Sequence, residues 1–245
     1  MTNNAVNPLQ IINISKQFGE HKVLQDVSLS INQGQIYGLV GLNGIGKTTL
    51  IKIILGLLKQ DEGQIQLYGK ANSILDIKKK YSYLPEKFHP SAFLKGEEFL
   101  SLSISYYGKK YNRQEAIELC EELDLSPKVL DSRIGNYSKG MGQKLGLVSA
   151  FMADTPLLIL DEPMSGLDPR ARIALKKKLR QYVQNGKRSI FFTSHILSDI
   201  EAICEKIAIL DNGKIHYEGS VKQFVAKANN LEEAFIKITE GVSTS

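Results

Sequence analysis

Apolar and polar positions along the chain follow two rhythms. Within residues 8–31, Val23, Val27, Leu29 and Ile31 alternate with polar neighbours. That is the period of strands with one buried face, and it predicts antiparallel pairing. Beyond this the pattern becomes βα-like. Residues 35–40 read as a buried strand, followed by a glycine-rich turn and an apolar helix over about 48–58. The wholly apolar run 157–160 is what a buried parallel strand requires, and 189–193 is another strand. Between those two lies a well-punctuated helix, with Asp168 as N-cap, Pro169 at its first position and Gly186 just past its end. Residues 207–210, then Asp211-Asn212-Gly213, then 214–217 predict a β-hairpin. Ser220 is placed to cap a short helix ending near Ala228, and 231–239 predict a last one.

One stretch breaks the rhythm. Residues 88–151 show helical spacing and little strand character, with 96–107 and 114–123 as the clearest helices. The patterns predict one α/β domain over residues 8–239. It has an N-terminal antiparallel β part and an inserted all-helical part at about 88–151. Residues 1–7 and 240–245 are expected to be flexible termini.

Composition narrows the class. The 245 residues are 42% hydrophobic and 23% charged, enough to bury a substantial core and too apolar for wholesale disorder. No apolar run approaches the ~18–20 residues that span a bilayer, and the longest, 50–58, is broken by Lys52 and Gly56. Residues 1–9 lack the apolar stretch of a secretory signal. Cys120 and Cys204 stand far apart in sequence with no second pair to close a metal site, so neither a disulfide framework nor a structural metal is expected, and a reducing cytosol fits. Net charge is +5, with lysine clusters at 78–80, 109–110 and 176–178. Consecutive lysines on a helix point about 100° apart and make no stripe, so they read as solvated faces, and no nucleic-acid partner is expected.

Candidate chemistry begins at Gly41-Leu42-Asn43-Gly44-Ile45-Gly46-Lys47-Thr48, which matches G-x-x-x-x-G-K-[ST] between a predicted strand and a predicted helix. Glycines let backbone N–H groups curl around phosphate oxygens, and the helix presents its positive N-terminus to the same anion. Lys47 can reach β- and γ-phosphates, and Thr48 can offer a hydroxyl to Mg²⁺. Residues 157–163 carry an apolar strand into Asp161, Glu162 and Pro163. A parallel strand delivers such residues to the ligand edge of the sheet. Asp161 is placed to hold Mg²⁺ and Glu162 to polarise an attacking water. His195, closing the next strand, arrives at the same edge and can donate to a γ-phosphate or a water.

With these residues in order, the sequence closely resembles the ATP-binding subunit of an ATP-binding cassette (ABC) transporter. Tyr137-Ser138-Lys139-Gly140-Met141, followed by Gln143-Lys144, is similar to the family's signature loop Leu-Ser-Gly-Gly-Gln. Ser165-Gly166-Leu167-Asp168 resembles its D-loop and Thr193-Ser194-His195 its switch histidine. Phe18, before Gly19, resembles the aromatic that stacks on adenine. The resemblance covers residues 9–219. It implies a P-loop NTPase core of the ABC ATPase type, with ATP and Mg²⁺ as cofactors. Phe18, Gly41, Asn43, Gly44, Gly46, Lys47, Thr48 and Thr49 would contact the nucleotide. Ser138 and Gly140, opening a helix expected to run to about Ala153, would act in trans on the nucleotide of a second ATP-binding subunit, expected to be another copy of this chain. Hydrolysis would then open a head-to-tail dimer.

The sequence departs from the family pattern at three points. The signature reads Tyr-Ser-Lys-Gly-Met, keeping Ser138 and Gly140 and adding the cation of Lys139. Gly142 sits inside the predicted helix at a cost of about 1 kcal/mol relative to alanine. Glu86, in Tyr83-Leu84-Pro85-Glu86, stands where the family's Q-loop has glutamine. Ionised glutamate offers only acceptors, so Glu86 is expected either to reach Mg²⁺, directly or through water, or to be a solvated loop residue. These departures resemble the ABC-2 branch, mostly exporters. The resemblance implies two membrane-spanning permease subunits and a peripheral position on the cytoplasmic face of the membrane. Phe88 and Phe93 are candidates either for docking anchors or for the insertion's own core. The alternative function is an ABC ATPase without transport, acting on ribosomes or nucleic acid.

Overall fold

The computed structural model describes residues 6–226, 228 and 230–240; the expectations for 1–5 and 241–245 lie outside them. The N-terminal alternation forms β1 (Leu9–Phe18) and β2 (His21–Ile31), antiparallel with Leu9 opposite Ile31. Their register slips between Ile11 and Gln17. Asn13 (φ 51°) and Asp26 (φ 54°) take left-handed backbone there. Asn13 Nδ2 donates to Asp26 Oδ1 at 2.5 Å and Ser15 Oγ accepts from the Asp26 N–H at 3.1 Å, so side chains hold the bulges.

β3 (Ile36–Val40) is buried throughout and leads to α1 (Lys47–Ile54). The helix ends short of the expected Leu58, with Gly56 left-handed (φ 69°) just beyond. β4 (Glu62–Leu67), β5 (Lys70–Ala71) and β6 (Tyr81–Leu84) follow. None of the three was expected from the pattern. β4 turns only Ile65 and Leu67 fully inward, and β6 has four residues, too few to show a period.

The helices α2 (Gly96–Tyr106), α3 (Arg113–Glu122) and α4 (Lys139–Met152) match the expected segments closely. Then come β7 (Leu157–Asp161), α5 (Pro169–Val183), β8 (Ser189–Ser194) and an unanticipated α6 (Leu197–Ile203). Asp168 Oδ1 accepts from the Ala171 N–H at 3.0 Å, the expected N-cap. β9 (Lys206–Asp211) and β10 (Lys214–Ser220) form the hairpin, with Asn212 (φ 46°) and Gly213 (φ 75°) in a tight turn. α7 (Val221–Val225), capped by Ser220, and α8 (Leu231–Glu240) end the described chain.

Two sheets result. One is antiparallel, in the order β2-β1-β4-β5; the other is six-stranded, in the order β10-β9-β3-β8-β7-β6, and parallel except for β10. Alternate residues of the large sheet feed two cores. Leu39, Leu157, Ile159 and Phe191 face α1 and the antiparallel sheet. Val40, Leu158, Leu160 and Phe192 face the helical layer. Full burial of each such side chain is worth about 1.5–3 kcal/mol. α4 joins the layers: Ser82 Oγ donates to the Ala150 carbonyl at 3.1 Å, and a Cβ on Gly146 would stand 2.5 Å from Leu84 Cδ1. Because β3, β7 and β8 run parallel, their C-terminal ends share one edge.

Candidate functional site

The loop between β3 and α1 is shaped by its glycines. A Cβ on Gly41 would stand 2.5 Å from the Leu210 carbonyl oxygen. Gly44 (φ 81°) and Gly46 (φ 115°) occupy backbone that L side chains rarely adopt. Gly46 starts α1 without a side-chain cap, which leaves the first-turn N–H groups for an anion. Lys47 is only 5% exposed. Its Nζ donates to the carbonyls of Gly41 at 2.7 Å and Leu42 at 3.0 Å, and lies 3.3 Å from Glu162 Oε1.

Asp161 ends β7 and is 1% exposed. Its Oδ2 accepts from Thr48 Oγ1 at 2.8 Å and its Oδ1 from Thr193 Oγ1 at 2.6 Å. Thr193 lies directly opposite Asp161 in the β7–β8 pairing, and its hydroxyl also accepts from the Glu162 N–H at 3.0 Å. Glu162 takes left-handed backbone (φ 49°), a conformation that costs a non-glycine residue on the order of 1–2 kcal/mol. Its Oε2 accepts from the His195 N–H at 3.3 Å and stands 2.9 Å from His195 Nδ1. Its Oε1 is buried and has no aligned hydrogen-bond donor, although Lys47 is near enough to pair by charge. That buried acceptor is suited to a water or another donor entering from the cleft.

A cleft of about 300 Å³ opens on this network, lined by Asn43, Gly44, the Gly46–Thr49 turn, Glu86 and Glu162. Glu86 therefore lines the same cleft as the phosphate loop. Burial, then the charges of Asp161 and Glu86, push the Tyr83 phenol well above its usual range. Thr48, Asp161 and Glu86 offer hard oxygen donors, the set Mg²⁺ prefers. Among the described residues no three His, Cys, Asp or Glu side chains cluster as a metal site.

Phe18, Ser138 and Gly140 do not line this cleft. Phe18 is 49% exposed, with Lys16 Nζ 5.4 Å from its ring centre. Asp61 holds that turn by accepting from Lys16 Nζ at 2.6 Å and the Gln17 N–H at 2.7 Å. Ser138 caps α4, accepting from the Met141 N–H at 3.2 Å. A Cβ on Gly140 would stand 3.1 Å from the Gly166 carbonyl oxygen. Phe88 and Phe93 divide: Phe88 packs edge-on against Phe99 at 5.5 Å within the helical layer, whereas Phe93 is 84% exposed. Thr193 is the polar residue the sequence reasoning passed over. Its signal was a hydroxyl in a fully buried strand, in register with Asp161.

The fold and the loop together define a P-loop core built to hold phosphate. A family model described as ABC transporter matches residues 24–165, more than half of the chain, and the chain belongs to that family. An uncharacterized ABC transporter ATP-binding protein of Synechocystis sp. is 37% identical over 212 residues, covering 85% of this chain and 60% of that protein. A Nod factor export ATP-binding protein I of Burkholderia orbicola is 32% identical over 220 residues, covering 88% of this chain and 72% of that protein. A solved structure described as the ATP-binding subunit of an ABC transporter matches with a TM-score of 0.84 at 30% identity, over 94% of this chain and 99% of that one. The chain spans about 60% of the length of curated relatives such as the Synechocystis protein. No helix among the described residues is long and apolar enough to cross a membrane.

Proposed function

We propose that this chain is the ATP-binding and ATP-hydrolysing subunit of an ABC transporter. Residues 8–239 act as one cassette, with 88–151 as its helical insertion. It closes with a second ATP-binding subunit, a copy of itself, around two MgATP. It drives export through two membrane-spanning permease subunits, from a peripheral position on the cytoplasmic face. The observation that carries the reading is the continuous network from buried Lys47 and Glu162 out to His195 at the surface, and from half-buried Thr48 through buried Asp161 and Thr193 to the Glu162 N–H.

Lys47 exchanges the Gly41 and Leu42 carbonyls for phosphate oxygens, and loop N–H groups cradle the same phosphates. Thr48, Asp161 and Glu86 would hold Mg²⁺, which supplies charge neutralisation to the phosphates. As Lys47 turns to phosphate, Glu162 loses its cation and becomes free to accept a proton from the attacking water. The water oxygen bonds to the γ-phosphorus, and the bond to the bridging oxygen breaks. ADP leaves with that electron pair. His195, steadied by Glu162, donates to the γ-phosphate. Ser138 and Gly140 serve the nucleotide of the partner cassette, which accords with their place outside this chain's own cleft. Phe93 is the exposed apolar contact for a permease. Export is supported by the Nod factor export relative. The lysine runs do not favour nucleic acid, since Lys176 pairs with Asp199 at 2.7 Å and Lys178 pairs with Glu122.

The test uses Glu162→Gln. With ATP and Mg²⁺ the variant should bind nucleotide, turn over little and run as a dimer in light scattering. From gently solubilised membranes it should recover a stoichiometric protein with several membrane helices. A variant that stays monomeric while saturated with nucleotide refutes the trans role. Recovery with ribosomal proteins or DNA instead refutes transport.

A further inference from the structure

Lys144 of α4 carries a charge yet is 7% exposed. Its Nζ lies 2.7 Å from the Asp124 carbonyl oxygen, 3.3 Å from Asp124 Oδ2 and 3.2 Å from Asp168 Oδ2. An ammonium has three N–H donors, and each finds an acceptor here. The acceptors come from separate parts of the fold. Asp124, left-handed at φ 55°, follows the end of α3. Asp168 ends the 165–168 segment and starts α5. The two carboxylate oxygens of Asp168 divide their work, Oδ1 capping α5 and Oδ2 facing Lys144.

A second set of contacts joins the same parts. Gly140 abuts the Gly166 carbonyl so closely that a Cβ would stand 3.1 Å from it, and the Lys139 side chain covers Gly166, with Cε 3.5 Å from where a Cβ would be. The first turns of α4 and the 165–168 segment are thus in contact at both ends, by backbone packing at Gly140 and by charge at Lys144.

We propose that Lys144 is a positioning residue that pins the 165–168 segment and the end of α3 to α4, so that Ser138, Gly140 and Asp168 are presented as one rigid face. The use of that face rests on the reading that Ser138 and Gly140 meet the nucleotide of a second cassette. Removing the ammonium leaves Asp168 facing no cation and the Asp124 carbonyl without its donor. The 165–168 segment then keeps only its packing on Gly140.

The experiment compares the full chain with Lys144→Met and Lys144→Arg, by amide hydrogen exchange without nucleotide and by nucleotide binding and turnover. In Lys144→Met, exchange over 139–143 and 165–171 should quicken about tenfold or more while the β3–β7–β8 core keeps its protection. Affinity for a fluorescent ATP analogue should stay within about twofold, because Lys47 and its loop are untouched, while turnover falls about ten- to a hundredfold. Lys144→Arg, which keeps the charge, should restore at least about a third of turnover. Wild-type exchange in Lys144→Met, or an arginine variant no better than the methionine one, overturns the proposal. Should Lys144→Met not fold, Asp168→Asn decides. Asparagine keeps the cap on Ala171 but removes the charge facing Lys144. Faster exchange over 165–171 supports the pin, and unchanged exchange overturns it. If wild-type turnover per chain is independent of protein concentration, the two-cassette reading falls, while faster exchange in the variants still upholds the pin.

Discussion

Replacing Thr193 by valine keeps the shape of the side chain and removes its hydroxyl. Two interactions vanish together: the donor to the Asp161 carboxylate at 2.6 Å and the acceptor for the Glu162 N–H at 3.0 Å. A hydrogen bond to a charged group is worth about 1.5–3 kcal/mol, and a buried N–H left unpaired costs about 1–3 kcal/mol. Asp161 keeps Thr48 on its other oxygen, so the lower part of the combined range of about 2.5–6 kcal/mol applies, about 3 kcal/mol. For a domain of this size that is a fall of about 6–12 °C in melting temperature. Thr193→Ser keeps both interactions and loses one methyl, about 1 kcal/mol or 2–4 °C. Calorimetry of nucleotide-free protein reads the two side by side. Turnover should fall about a hundredfold in the valine variant, because Asp161 and the Glu162 backbone both lose their anchor, and much less in the serine variant. A valine variant that melts with the serine variant, or above it, refutes the argument.

Lys47→Met strands Glu162 in a buried site and should lower stability by about 3 kcal/mol or more, whereas Lys47→Met with Glu162→Gln should recover most of that loss; equal melting of the single and double variants would show the pair uncoupled. The Ala171 N–H, and then Lys144, hold the Asp168 carboxyl below its ordinary 3.8. The stability this contributes is therefore complete above the ordinary value and lost as pH falls through the lower folded one. The melting gap between wild type and Asp168→Asn should close as pH falls from above the ordinary carboxyl value to below the lowered folded one, and a constant gap would contradict the assignment. A Cβ on Gly142 would meet no atom within 4 Å, so Gly142→Ala should raise stability by about 1 kcal/mol, read as a shift of about 2–4 °C, and a destabilised variant would mean the helix is not the constraint there.

The sequence reveals those parts of the molecule whose physics is local. A strand buried on both faces can read as an apolar run, as 157–160 of β7 does, and the residues proposed to meet phosphate or metal stand where such runs stop. Caps at Asp168, Ser138 and Ser220 are equally readable, because each side chain bonds to backbone three residues on. The hidden parts depend on pairing across the chain. β4 has two inward residues and gains its place by lying on β1, with Leu9 opposite Leu67. α6 is masked by Asp199, which a sequence places at the surface and the structure buries at 1% exposure between Arg172 and Lys176. Thr193 could be valued only once β7 and β8 were aligned. Phe88 and Phe93 have the same composition and opposite fates, because Phe99 and Gly146 are there to receive only the first.

The two cores on opposite sides of the large sheet carry a consequence for how this chain can vary. In β7, Leu157 and Ile159 belong to one core, Leu158 and Leu160 to the other. A changed side chain at Ile159 is felt on the side of α1 and the phosphate loop; one at Leu158 is felt among the helices. Drift on the helical side can therefore proceed without disturbing the wall behind the phosphate loop. Gaining or losing a single residue within 157–161 is different in kind. It would exchange the allegiance of every side chain that follows and carry Asp161 out of line with Thr193. Substitutions in this strand are recoverable one face at a time, and changes of length are not.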